Sequence, residues 1–361
     1  MTLYLVQAPA QVAQISIEQM RRDLNKINQS IDESTEKIKT IRDAKFLPDL
    51  YFTLAEFYIQ KAQYMYALKI AENKDTPIEE LDFTNEKRPK LRAIEIFDTL
   101  MEKFPKLKNK DKAMFLKGHE QRELGRLEDM VRTYAQLTRQ FPKSKYWAEA
   151  VITIGDFQFE NKKDTEGAKK TFQRITAREV GPFTPLAHYK IGWAYINQRK
   201  FANALLSFEK VITDFKGLDL SSLPEKYKKT DVRRDALVAS VWPYSELKRK
   251  HFRKIGGPWR YKPVPYYKTM SPDMISYRKV LKKLGRRMVI KKRFINATQA
   301  YFELLRITPD LEERIDIIEQ LYVSMKNTRR PWPIIGFTKE IEKTVYQIRN
   351  NQVLSKAQVK K

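Results

Sequence analysis

The sequence of 361 residues contains no cysteine. Disulfides, zinc–thiolate sites, iron–sulfur clusters and thiol nucleophiles are therefore excluded, and the redox compartment stays open, because a cysteine-free chain tolerates either state. Glycine is scarce, at 11 residues, less than half of the usual share of roughly 7%. That disfavours dinucleotide-binding, P-loop and hairpin-rich β folds, which use glycine for tight turns and for close approach to phosphates. Long apolar runs are missing too. The longest candidate, Ala236 to Trp242, is interrupted by Ser240 and falls far short of the roughly 18 residues of a membrane-spanning helix. Histidine occurs only as His119, His188 and His251, none in a metal-ligand spacing. No Walker A motif, strand-linked GxGxxG or GxSxG elbow is present. Acidic pairs such as Glu79-Glu80 and Glu312-Glu313 fall at expected helix starts, where the helix dipole favours them. No catalytic, cofactor-binding or metal-binding residue is assigned on these grounds.

What is abundant is helix-forming and basic. The chain is 42% hydrophobic and 12% aromatic, enough for a folded core. Lys and Arg number 70 against 44 Asp and Glu, a formal net charge of +26. From Ile15 the apolar period is close to 3.6 almost throughout, so an all-α fold is expected. Met20, Leu24, Ile27, Ile31, Ile38 and Ile41 trace a heptad seam with Ser34 at the missing position. Two readings fit it: a self-associating coiled coil, or one long amphipathic helix lying against the first helices of the body. At the N-terminus, Leu3-Tyr4-Leu5-Val6 precedes Ala8-Pro9-Ala10. The small residues have the spacing of a secretory cleavage site, but no basic n-region precedes them and the apolar run is short. Residues 1–14 read as a flexible N-terminus or as the remnant of an export signal.

A longer period overlies the helical one. Ile191, Gly192 and Tyr195 are followed by Ala204, Phe208 and Val211; Leu284, Gly285 and Met288 by Ala297, Tyr301, Leu304 and Pro309. Leu54, Ala55, Tyr58 and Ala67 begin the same ladder. Gly118, Met130, Tyr134, Leu137 and Pro142 repeat it, and Ile154, Gly155, Ala168 and Phe172 carry it with one residue inserted. Ala93, Phe97, Leu100 and Pro105 look like a second helix without a first. Such a ladder describes a helical hairpin. A small residue in the first helix meets an Ala of the second, aromatics fill the gap to the next hairpin, and Pro stops the second helix. A single hairpin cannot bury its own apolar face, so copies must stack.

These residues resemble the tetratricopeptide repeat, with its period of about 34 residues. The resemblance covers roughly residues 47–215 and 273–309, with departures: His188 and Leu281 stand where the family usually has Trp, and unit lengths vary. It implies a right-handed α-solenoid of helical hairpins with an N-terminal heptad helix and a C-terminal helical cap. The expected organisation is a heptad helix at 15–45, repeats at 46–215, an atypical helix with a Pro-rich, aromatic and basic loop at 216–272, and a further repeat at 273–309. Capping helices follow at 310–350 and a tail at 351–361. Within the atypical segment, Asp231 to Lys250 reads as a helix strained or broken at Pro243, and Pro258, Pro263 and Pro265 make the rest a poor helix.

Charge is concentrated. Residues 244–293 contain seventeen Lys or Arg and only two acids, Glu246 and Asp273. Lys279, Lys282, Lys283, Arg286 and Arg287, with Arg260 and Lys262, are the candidate anion-binding residues. Interleaved with Trp259, Tyr261, Tyr266 and Tyr267, they could track a phosphate backbone and stack on bases. They could equally meet anionic lipid or an acidic protein segment, or form a plain solvated surface. The repeat resemblance supplies a second candidate, because first helices line the concave face in that family and bind peptides. Its register places Ile152, Phe159, Tyr189 and Trp193 there, with Lys279, Lys282 and Arg286 at the equivalent places of the last repeat; the alternative reading is that Trp193 packs between hairpins. An aromatic stretch leading into a basic one suits a partner with apolar anchors and an acidic end.

Phe141-Pro142-Lys143-Ser144, then Ala148-Glu149-Ala150 and Ile154-Gly155-Asp156, resemble junctions of Gram-negative envelope repeat proteins. Those include Tol–Pal-associated, outer-membrane assembly and gliding-motility types. The resemblance implies a non-enzymatic periplasmic scaffold that binds another envelope protein, without cofactor or small-molecule substrate, and without a lipid anchor on cysteine. The alternative is a cytoplasmic RNA-binding or other nucleic-acid-binding helical repeat using residues 244–293.

Overall fold

The computed structural model describes residues 16–41, 45–178, 180–214, 231–256, 258–328 and 334–350. All regular structure among them is helical. The N-terminal segment 1–14 and the tail 351–361 lie outside the described residues. The chain divides into two compact units between Asn161 and Lys162.

The first unit comprises α1 (Ile17–Thr40), α2 (Leu47–Glu72), α3 (Thr84–Lys103), α4 (Lys110–Glu123), α5 (Leu127–Gln140) and α6 (Trp147–Glu160), each packed on the next. Helix α1 starts where the Ser16 hydroxyl accepts the Gln19 N–H at 3.2 Å. Its heptad seam is covered by its own chain. Met20 packs beside Ala67 of α2, Ile27 and Ile31 join Phe52 and Leu54, and Arg21 pairs with Glu72 at 2.7 Å. Of the two readings of this helix, the amphipathic helix laid on the body is the one observed.

The two incomplete ladders of the sequence turn out to be halves of one hairpin. Leu54, Ala55 and Tyr58 lie on α2, and Ala93, Phe97 and Leu100 on α3, with the rings of Phe52 and Phe97 5.7 Å apart. The connection, residues 73–83, carries a short 3-10 turn at Ile78–Glu80. Ala67 belongs to the part of α2 that supports α1 and has no role in a second helix.

The second unit comprises α7 (Thr165–Thr176), α8 (Thr184–Asn197), α9 (Phe201–Thr213), α10 (Arg233–Glu246), α11 (Arg249–Lys254), α12 (Pro263–Met270), α13 (Met274–Ile290), α14 (Phe294–Ile307), α15 (Leu311–Lys326) and α16 (Ile334–Asn350). A 3-10 turn, Pro258–Tyr261, precedes α12. The hairpins α8–α9 and α13–α14 are the two best-matched ladders. Between them α10 packs on both α9 and α13, as a first helix would. The short α12, which touches α9, α13 and α14, occupies the region a second helix would fill.

Two proline expectations are corrected. Helix α10 runs through Pro243 to Glu246. The hydrogen bond that proline forfeits lies one turn from the helix end, and Ser240 and Ser245 add hydroxyl bonds to Leu237 O and Trp242 O, each at 2.7 Å. Pro263 and Pro265 fall in the first turn of α12, where an N–H has no intrahelical partner to lose. The cap α15–α16 is fastened by Arg314, which is 6% exposed. Its guanidinium donates to Leu305 O at 2.9 Å, to Thr308 O at 3.2 Å and to Glu340 Oε1 at 2.8 Å. The outer side of this cap is not uniformly polar, since Tyr322, Val323, Val345 and Tyr346 are exposed.

Candidate functional site

In the second unit the helices α8, α10, α13 and α15 are joined in that order by side-chain contacts. Tyr189 and Trp193 of α8 form a T-shaped pair at 6.2 Å, and both rings lean on Phe208 of α9. Trp193 then meets Trp242 of α10 at 6.1 Å. The Arg287 guanidinium of α13 lies 5.7 Å from the centre of the Trp242 ring and pairs with Glu246 at 2.7 Å, where Lys291 joins it at 2.6 Å. Arg278 and Lys282, also of α13, both reach Glu313 of α15, Lys282 at 3.2 Å. The row thus passes from aromatic to basic character within one unit.

Each predicted groove residue has a definite place. Tyr189 and Trp193 are half-buried and adjacent, and Trp193 packs between Phe208 of its own hairpin and Trp242 of α10. Burial, with Asp235 adding to it, pushes the Tyr189 hydroxyl pKa up. Ile152 and Phe159 lie on α6 of the first unit. Ile152 is only 7% exposed and acts as a packing residue, while Phe159 is half-buried. Trp242 was not among the sequence candidates, yet at 39% exposed it is more accessible than Tyr189 and Trp193. Its signal was the position of α10 between two hairpins, which the atypical proline content disguised.

The seven predicted anion-binding residues split into two groups. Arg260 is committed internally: its guanidinium grips both oxygens of Glu209, at 2.8 and 2.9 Å. The Tyr266 hydroxyl donates to the same carboxylate at 2.8 Å, and the Tyr244 hydroxyl donates to Arg260 O at 2.7 Å. This bidentate bond to Glu209 holds the Arg260 pKa above its ordinary value. Arg287 and Lys282 are paired with Glu246 and Glu313. Lys279, Arg286 and Lys262 are exposed and make no ion pair among the described residues. Lys283 is half-buried, and burial together with the Arg287 charge lowers its pKa. Two of the three interleaved tyrosines are equally committed, while Tyr261 is 46% exposed. Tyr266 and Tyr267 are fully buried and pack with Tyr244 at 5.2 and 5.3 Å, so they offer no face for stacking on a base.

The histidines form no cluster. His119 contacts Glu120 at 3.0 Å, His251 accepts the Lys248 N–H at 3.0 Å, and burial together with Lys210 lowers the His188 pKa. Among the described residues no group of three or more His, Asp or Glu could hold a metal ion, and no helix is long and apolar enough to cross a membrane.

No curated protein matches the sequence. Among solved structures, a tetratricopeptide repeat protein from Parabacteroides merdae is similar over 72% of this chain and 98% of its own, at 15% identity and a TM-score of 0.33. Yeast Tom70 is similar over 90% of this chain and 62% of its own, at 12% identity and a TM-score of 0.33. A chain from the computational design of self-assembling cyclic homo-oligomers matches 93% of this chain and 98% of its own, at 12% identity and a TM-score of 0.22. Residues 186–217, which take in most of α8 and all of α9, match the tetratricopeptide repeat family. The hairpin that carries Tyr189 and Trp193 is a tetratricopeptide repeat.

Proposed function

We propose that the protein is a non-enzymatic scaffold that docks a partner protein or peptide along the row α8, α10, α13. Apolar or aromatic anchors of the partner meet Tyr189, Trp193 and Trp242, and its acidic end meets Lys279, Lys283 and Arg286. The observation that carries the reading is the unbroken step from Trp193 to Trp242 to Arg287, at 6.1 and 5.7 Å. It sets half-buried aromatic surface beside cations in one stretch. Aromatic and arginine side chains are the residue types that dominate binding energy at protein interfaces, and charge complementarity fixes the direction in which a partner lies. Selection from a displayed peptide library tests this. Enriched peptides should carry aromatic or apolar residues followed by acids, and Trp193→Ala with Trp242→Ala should reduce binding about tenfold or more. Equal binding by the double variant overturns the docking row.

We further propose an envelope location. The support is the junction from Phe141 to Asp156 and the small-residue spacing near Ala8. Fusion of the complete gene product to a reporter active only outside the cytoplasm is expected to give signal, and a strictly cytoplasmic result removes this part of the reading. The nucleic-acid alternative requires a binding constant that falls steeply with salt. Burial of Tyr266 and Tyr267 leaves Tyr261, 46% exposed, as the interleaved tyrosine open to stacking among the described residues.

A further inference from the structure

A cleft of about 200 Å³ opens in the second unit between the end of α10, α11, Tyr261 and the start of α14. Its floor is apolar and buried, made by Tyr244, Leu247 and Phe252. Its rim carries Lys248, Arg249 and Arg293, and no acidic residue lines it. This distinguishes the cleft from those parts of the basic stretch where acids answer the cations. There, Arg260 is matched by Glu209, Arg287 by Glu246 and Arg278 by Glu313. Lys248, Arg249 and Arg293 make no ion pair among the described residues. Three like charges around one hollow repel each other and raise its potential.

The geometry points to a phosphoryl group as the ligand. We infer that this cleft binds a phosphomonoester, with Lys248, Arg249 and Arg293 on its oxygens and the ester stem against Phe252 and Tyr261. A phosphoryl dianion carries about −1.5 to −2 charges near neutral pH, which three cations match better than the single charge of a carboxylate. Arginine forks suit its oxygens, and Arg249 is already braced over the Tyr261 ring at 5.2 Å from its centre. Arg293 and Asn296 stand at the N-terminal end of α14, the end that favours negative charge. The volume equals that of about seven waters at roughly 30 Å³ each, room for a phosphoryl group and a short stem. This inference is independent of the docking row, which uses other residues. The phosphomonoester could be soluble or a lipid headgroup, and the two are separated by experiment.

Phenyl phosphate titrated calorimetrically into the full chain tests the soluble form. Phosphatidylcholine vesicles with and without phosphatidic acid, in co-sedimentation, test the headgroup. The expected result is saturable binding of one or both probes at a single site. Affinity should fall about tenfold or more in Arg249→Ala with Arg293→Ala. It should stay unchanged in Lys268→Ala, which removes an exposed cation of the same charged stretch. Far-UV circular dichroism checks the fold, and Lys248→Gln with Arg293→Gln serves should the first pair fail to fold. Phenyl phosphate binding alone assigns a soluble ligand, and vesicle binding alone assigns a headgroup. Absence of both, equal losses in the two kinds of variant, or benzoate binding as tightly as phenyl phosphate overturns the site.

Discussion

The ring of Phe208 lies across Gly192 so closely that a methyl group on that glycine would stand 2.6 Å from it. The same relation recurs sixteen residues apart at Gly285 and Tyr301, at 2.5 Å, and at Gly118 and Tyr134, closer still. The glycine of each first helix therefore exists to seat the aromatic of its own second helix. An Ala in a helix interior is normally favoured over Gly by about 1 kcal/mol. Here Gly192→Ala should instead destabilise, because Phe208 is fully buried and cannot move aside, and overpacking costs about 1–3 kcal/mol. Urea unfolding of Gly192→Ala, alone and with Phe208→Leu, checks this. The second substitution should recover part of the loss, and a stabilised Gly192→Ala would contradict the seating.

The sixteen-residue spacing was legible in the sequence, but the partner of the glycine was not. Sequence reasoning matched Gly to the Ala of the second helix because both are small. Packing instead matches a small residue to a large one, so that the two helices close without a void. The division of one hairpin into two partial ladders has a similar cause. Helix α2 continues beyond Tyr58 to support α1, and Ala67 imitates a repeat position while serving that other contact. In the candidate site, the position of Tyr189 and Trp193 one turn apart on α8 was legible in the sequence. The fate of the cations did not, because Glu209 and Glu313 lie outside the basic stretch in sequence and beside it in the fold. A charge count over 244–293 cannot see carboxylates delivered by neighbouring helices.

Hairpin turns offer a second test. Gly125, Arg199 and Lys292 each stand seven residues after the seated glycine, with φ of 75°, 55° and 54°. In all three the next N–H bonds back across the turn: Arg126 to Gln121 O, Lys200 to Tyr195 O and Arg293 to Met288 O, at 2.8–2.9 Å. This is the left-handed helix stop that glycine fills without steric cost. Arg199→Gly and Lys292→Gly should each raise stability by up to about 1 kcal/mol, net of the added freedom of the unfolded chain. Calorimetric Tm values should rise for both. Arg199→Val should lower it, since a β-branched residue tolerates this conformation least.

Arg260 was a sequence candidate for binding anions, and its contacts make it a structural cation. Removing it leaves the Glu209 carboxylate, 6% exposed, without its bidentate partner. Breaking one half of a buried ion pair costs about 3–5 kcal/mol, because the remaining charge stays desolvated. Arg260→Ala should therefore lose stability on that scale, and Arg260→Lys should recover only part of it, since an ammonium cannot span both oxygens. Arg260→Ala with Glu209→Gln should be less damaging than Arg260→Ala alone. Denaturant unfolding of these variants together with Glu209→Gln alone measures the coupling, and additivity would show the pair to be independent.

Glu313 gives the pH test. Burial works to raise its pKa, but hydrogen bonds from Lys282 and Arg278 outweigh that and hold it below its ordinary value. A folded pKa below the unfolded one means that the unfolded state takes up the proton first. The contribution is therefore full above the unfolded value, about 4.3, and is lost as pH falls through the folded pKa. Glu313→Gln should lower Tm at pH 7, where it loosens α13 from α15. The gap from the wild type should narrow as pH falls below 4 and nearly close once the carboxyl is protonated in both states. Paired Tm measurements from pH 7 to pH 3 decide the matter. A gap that stayed constant across this range would mean that the charge of Glu313 is not what ties the two helices together.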